Sequence, residues 1–171
     1  DWPVTPAYCK AVAEALGLPL YFSGRKGGFL REMNKRNEPS QPIWFETPNG
    51  RGGRKVLWAP RSEAAHTRGL FPALTANLNV RWCSLQLKIE VGNAIFRHDP
   101  RFKGRFLLVG GERAEESKPR ERQSPVEENN ATALTKGRDV PKWRAIHSWA
   151  EEEVWAIIKR WGIVPHPGYR L

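Results

Sequence analysis

Cysteine is scarce in this sequence, which holds only Cys9 and Cys83. Two thiols are too few for a disulfide framework, and they do not form a CxxC pair of the kind that holds zinc. A reduced, cytoplasmic protein is the expectation that follows. No apolar run is long enough to span a membrane. The opening "DWPVTPAYCK" has no apolar core of a secretory signal. The histidines His66, His98, His147 and His166 show neither HxxxH nor HExxH spacing, so no metal site is expected. No internal repeat is visible.

What is present is a chain of 171 residues, about one domain's worth, and 40% of it is hydrophobic. That is enough to bury a core. The net charge is +10, which favours an anionic partner without choosing among nucleotide, nucleic acid and small sulfated or phosphorylated molecules. Residues 25 to 61 hold nine basic and three acidic side chains. Eight tryptophans are many for this length. Trp149, Trp155 and Trp161 sit at helical spacings and belong to a core. Trp44 and Trp58 lie in the basic stretch, where they could stack on bases or pack the loop onto the body.

The periodicity predicts helices at 6–16 and 150–161. Thr5 is the expected cap of the first, with Pro6 at its first position and Gly17 as its stop. Ser148 and Glu151 have the spacing of a capping box for the second. "LPLYF" at 18–22 and "FLLV" at 106–109 read as buried strands. The run "RWCSLQLKIEVGNAIF" fits strand or helix, and its length favours helix. Residues 35–80 and 111–142 read as long loops, the stretches 35–65 and 122–140 being the most mobile. Strands alternating with helices predict one α/β domain over 1–171, a Rossmann-like parallel sheet with helices on both faces.

One stretch asks for a chemical reason. In "RFLLVGGERAEESKPR" a strand runs through two glycines into charge. The crevice beyond strand ends is where α/β folds bind ligands. Arg113 and Arg120 could grip an anion bidentately, and Ser117 could donate to it. The alternative is a solvated loop.

Three pieces in order, "RWCSLQLKI", "LLVGGERAEESKPR" and "WRAIHSWAEEEVWAIIKRWGIVPHPGYRL", resemble the phosphoadenosine phosphosulfate (PAPS) reductase family of the adenine nucleotide α-hydrolase-like fold. The residues that carry the likeness are Cys83 and Lys88; Gly111, Arg113, Glu116, Ser117 and Arg120; Trp149, Val154 and Trp155; and Pro165, Pro167, Gly168 and Tyr169. The resemblance implies an adenine nucleotide, ATP or PAPS, with or without Mg²⁺. Its phosphate or phosphosulfate end would be held by Lys88, Arg113, Ser117 and Arg120, with Glu116 orienting an arginine. Cys83 is the weak candidate for a nucleophile, though a thiol beside Trp82 is more often core.

The departures are equally specific. The family's Ser-Gly-Gly-Lys-Asp-Ser phosphate loop does not occur; "SGRKGG" at 23–28 differs in order and place. No reductive cysteine follows the Gly-Tyr segment, and two cysteines cannot hold an iron–sulfur cluster. The sequence thus reads as part of a longer protein. Three functions follow. The first is a PAPS reductase-like enzyme that reduces a sulfonucleotide or hydrolyses ATP at its α-phosphate. The second is a nucleotide or nucleic-acid binding module. The third is a subunit of a larger defence or modification assembly.

Overall fold

The computed structural model describes residues 2–75, 77 and 80–170. In chain order the elements are α1 (Thr5–Ala15), β1 (Ser23–Arg25), α2 (Gly28–Met33), β2 (Ile43–Pro48), β3 (Arg54–Ala59), α3 (Trp82–Ser84), a π-helical segment (Leu85–Ile89) and α4 (Glu90–His98). Then come β4 (Gly104–Arg105), β5 (Leu108–Gly110), α5 (Lys118–Glu121), β6 (Val126–Glu128), β7 (Arg138–Asp139), β8 (Pro141–Arg144) and α6 (Glu151–Arg160). Short 3₁₀ turns lie at Ala114–Glu116, Leu134–Lys136 and Pro167–Arg170. The chain is mixed α and β and forms two compact units: Tyr21–Leu108 with Glu128–Lys142, and Asp1–Leu20 with Val109–Glu127 and Trp143–Leu171. No described helix is long and apolar enough to cross a membrane.

The unit around Tyr21–Leu108 is built on an antiparallel sheet in the order β1-β2-β3. "IWFETP" alternates, and the pleat sends Ile43, Phe45 and Thr47 inward and Trp44 and Glu46 outward. The turn between β2 and β3 is set by Asn49. Its side-chain oxygen accepts from the N–H groups of Arg51 at 2.9 Å and Gly53 at 3.0 Å. Gly50 and Gly52 take φ of 76° and 75°, a conformation that glycine reaches without strain. α4 lays Val91, Ala94 and Ile95 against Ile43, Phe45, Leu57 and Ala59 to close the core. β4 pairs with β7 in parallel over two residues.

Polar groups share this interior. Glu32 and Lys35 are both 2% exposed and pair at 2.8 Å, with the Ser40 hydroxyl between them and Arg68 at 3.4 Å from the same carboxylate. Asp99 is buried too. Arg101 grips it with bonds of 3.0 and 2.7 Å, and its guanidinium lies 4.3 Å from the Tyr21 ring centre. Trp82 stacks on Phe29 at 5.1 Å and donates its indole N–H to the Leu70 carbonyl at 3.2 Å.

In the other unit α1 and α6 present no buried residue, and among its described residues only Arg144 is buried. Arg144 donates to the Ser124 carbonyl at 2.5 Å and pairs with Glu127. The segment 166–170 folds back through aromatic contacts. His166 meets the Tyr8 ring edge-on at 5.0 Å, and Tyr169 meets Trp155 at 5.1 Å. His166 Nδ1 accepts from the Gly168 N–H at 3.0 Å. Neutral His166 therefore carries its proton on Nε2 and donates to the Thr5 hydroxyl at 3.1 Å.

Several expectations are corrected. Residues 18–22 form no strand: Leu18 is 59% exposed, pairing starts at Ser23, and the sheet there is antiparallel. The expected buried strand at 106–109 is β5, shifted to Leu108–Gly110, with Leu107 and Val109 more than half exposed. The strand at 23–25 and β5 lie in different sheets. The stretch 35–65 contains the hairpin that carries the buried core residues Ile43, Phe45 and Ala59. The stretch 122–140 includes β6 and β7, with Ala131 and Val140 fully covered. α1 begins at Thr5 with Val4 as its cap. α6 begins after Ala150, whose N–H donates to Glu153 at 2.8 Å, so the box expected at Ser148 and Glu151 sits two residues later and lacks a hydroxyl. The run after Arg81, by contrast, is helical from Trp82 to His98, as its length predicts.

Two stability outcomes follow. Phe45→Ala should cost about 3 to 5 kcal/mol in urea unfolding, the range for deleting a buried phenyl ring. The second concerns acid. Burial opposes ionisation of Glu32 and Asp99, but Lys35 and Arg101 outweigh it and hold both carboxyls below their ordinary values. A depressed folded pKa adds stability above the unfolded value and loses it as pH falls through the folded one. Stability should therefore drop below about pH 4. The acid loss should shrink in the double variant Glu32→Gln with Asp99→Asn, once each variant is referred to its own neutral stability.

Candidate functional site

The Gly-Gly-Arg cluster lies in the unit that holds α6. β5 ends at Gly110, and the chain then turns through Ala114–Glu116 into α5. The turn is tied to the approach to α6. The Ala114 N–H donates to the His147 carbonyl at 2.8 Å, and His147 Nε2 lies 3.0 Å from the Arg120 carbonyl. A carbonyl only accepts, so Nε2 carries a proton. The Glu151 N–H, at the start of α6, donates to Glu115 at 2.9 Å.

Arg113 is the centre of this knot, its side chain only 13% exposed. It pairs with Glu115 at 2.7 Å and lies 3.8 Å from both Glu116 and Glu151. Arg120 pairs with Glu116. Both arginines thus have carboxylate partners, and residues 112–122 hold four basic and four acidic side chains. Glu116 thus makes ion-pair contacts with both arginines. Ser117 is exposed and caps α5 through its carbonyl, which accepts from Arg120 at 2.9 Å and Glu121 at 3.0 Å. A cleft of about 470 Å³ beside the knot is lined by Ala114, Glu115, Ser117, Lys118 and Glu121. That volume falls in the range of small-molecule sites.

Lys88 and Cys83 belong to the other unit. Lys88 is exposed on the π-helical segment. Cys83 is a half-covered free thiol in α3, next to the buried Trp82. Among the described residues no group of three or more His, Cys, Asp and Glu is placed to hold a metal ion.

A second site in the Tyr21–Leu108 unit has no motif to announce it. A cavity of about 240 Å³ is lined by Arg25, Arg61, His66, Gln86, Arg97 and His98, among others. Arg25 reaches it from the inner face of β1. It donates to the Gln86 carbonyl at 3.1 Å, the Gln86 side-chain oxygen at 3.2 Å and the Gln41 carbonyl at 2.7 Å. The sequence signal was only the excess of basic residues over 25–61. Nothing in one dimension joins Arg25 to Arg97.

No family model matches the chain, and neither a curated protein nor a solved structure does.

Arg113 should act as a structural rivet between the turn and α6. Charge-assisted hydrogen bonds contribute about 1.5 to 3 kcal/mol each. Arg113→Ala should lower stability by roughly that amount, read by denaturant titration, while exposed Lys118→Ala stays near neutral. Equal effects of the two changes would show that the knot is only surface charge.

Proposed function

We propose that this chain acts on an adenine nucleotide, as a PAPS reductase-like enzyme that either reduces a sulfonucleotide or hydrolyses ATP at its α-phosphate. The observation that carries the reading is the Arg113 knot. The Gly-Gly turn and the two arginines that the resemblance implies lie together in one unit, tied to α6 through Glu115 and Glu151. The parallel pairing of β4 with β7 supports the Rossmann-like sheet that this reading includes, though only over two residues. An arriving phosphate or phosphosulfate would draw Arg113 and Arg120 from their carboxylates, exchanging one oxygen partner for another. Ser117 would donate its hydroxyl. Glu115 and Glu121 line the same cleft and suit the one or two carboxylates that Mg²⁺ takes when a nucleotide's phosphates supply its other ligands.

Arg113→Ala or Arg120→Ala should weaken ATP or PAPS binding about tenfold to a hundredfold by calorimetry. Arg→Lys should recover part of it, because the planar fork is lost. Arg105→Ala, a surface change paired only to Asp139, is the control. Unchanged affinity with both arginines replaced would end the reading. Release of AMP and pyrophosphate from ATP, set against thiol-dependent reduction of PAPS, separates the two chemistries.

A second reading has its own observation. Trp44 and Trp58 are cross-strand neighbours on the outward face of the β1-β2-β3 sheet, and Trp58 is 52% exposed. Lys26 and Arg51, at turns near the sheet's two ends, have no ion-pair partner among the described residues. That is a stacking surface for single-stranded nucleic acid. Trp58→Ala should weaken oligo-dT binding by about 1 to 3 kcal/mol, read by fluorescence anisotropy. Loss of Arg51 should flatten the salt dependence. Oligonucleotide affinity indifferent to both changes would remove this reading.

A further inference from the structure

The Arg25 cavity is not part of the nucleotide reading, and its chemistry is distinct. A guanidinium has five N–H donors in a rigid fork. Three of those of Arg25 are fixed by neutral oxygens of Gln41 and Gln86. No carboxylate among the described residues lies within ion-pair distance of it. Burial holds Arg25 below its ordinary range, with Glu32 and Glu90 acting against that from farther away. It is therefore a positioned, part-buried cation whose direct contacts are all neutral oxygens.

The cavity wall adds two further arginines, Arg61 and Arg97, against one acid, Glu90. Arg97 is paired to Glu90 only loosely, at 3.9 Å, and Arg61 pairs with the exposed Glu63 at 3.3 Å. Both can turn toward a better acceptor. His98 is held below its ordinary range by burial, then by Arg97 and Arg138, so at neutral pH it is an uncharged hydrogen-bonding group. The platform is rigid: β1 carries Arg25, and Gln86 sits on the π-helical segment, a type of irregularity that recurs at functional sites.

Size then selects the ligand. The volume of about 240 Å³ is roughly eight times a water's share of about 30 Å³ and below the range of about 300 to 1,000 Å³ for drug-sized ligands. It has room for a small anion with a few waters. Arginine forks match tetrahedral oxygens, and three arginines repel any metal cation.

We propose that this cavity binds a tetrahedral oxyanion, phosphate or sulfate, either free or as the protruding phosphate of a nucleotide, gripped by Arg25 and Arg97. The assignment does not rest on the Arg113 reading.

The experiment titrates the full chain with inorganic phosphate and inorganic sulfate by calorimetry at constant ionic strength, with chloride as the balancing salt. Saturable binding is expected. Arg97→Ala should weaken it about tenfold or more, as for one charge-assisted bond. Arg25→Lys keeps the charge, loses the fork and should weaken it similarly, with circular dichroism confirming that the variant folds. Arg105→Ala should change nothing. Phosphate binding that is absent, or unaltered by both cavity variants, overturns the proposal. AMP is then added to the Arg113→Ala protein. Displacement of phosphate there assigns the site to a nucleotide-borne phosphate; no displacement assigns it to the free ion. Because Arg113 is already replaced, loss of the first nucleotide site leaves this result readable.

Discussion

The grip of Arg25 on two main-chain carbonyls and one amide is the contact on which the Tyr21–Leu108 unit depends. The sheet is three short strands, and a sheet of that size needs something to pack against. Arg25 projects from β1 and bonds Gln86, sixty-one residues later, so one side chain fastens the sheet to the helical run that covers it. Only arginine has the reach and the donors for this. Lysine would offer a point charge with no fixed geometry. The same fork that fastens the fold leaves a cation beside a cavity, so a fastening device and a candidate binding surface are one side chain.

Ion pairs do elsewhere what apolar area does in many domains. Glu32 with Lys35, and Asp99 with Arg101, are sunk among the core residues. Buried pairs of this kind are weak sources of net stability, since desolvation offsets most of the attraction. Their value is directional: a carboxylate that must meet one lysine, one serine and one arginine admits few alternative packings. There is a second consequence. All three acidic residues between 25 and 61 are committed to ion pairs, Glu32 in the interior and Glu38 with Arg31 and Glu46 with Arg54 nearer the surface. The basic surplus of that stretch is left facing outward or into the cavity. Composition alone states a charge of +10; the structure says where it is uncompensated.

The two long helices were legible because each carries its whole signal locally: a proline near one start, three glutamates at the other, and glycine after both. The hairpin was missed although its marks were present. "IWFETP" alternates and "NG" follows it, a strong short-range hairpin signal. The surrounding proline and glycine density masked both. The strand expected at 18–22 failed for the opposite reason. An apolar run has no means of declaring its partner, and here pairing begins at Ser23, where β2 supplies the other half of the ladder. Of the candidate site, the turn after β5 was readable and the carboxylate that α6 brings to Arg113 was not. Glu151 is thirty-eight residues from Arg113, and only folding brings them together.

That difference separates charge from available charge. The 112–122 cluster drew notice because it is dense, yet Arg113, Lys118 and Arg120 are paired with Glu115, Glu121 and Glu116 of the same segment. It is suited to exchange: an anion can bind there by replacing carboxylates, and each replacement returns part of the energy gained. The Arg25 cavity drew no notice because its arginines are scattered across seventy-two residues of sequence, from Arg25 to Arg97. There the direct contacts of Arg25 are neutral oxygens, and an entering anion would displace water from that guanidinium without displacing a carboxylate. Equal numbers of arginines are thus unequal as anion sites. What decides between them is the partner that each guanidinium already has.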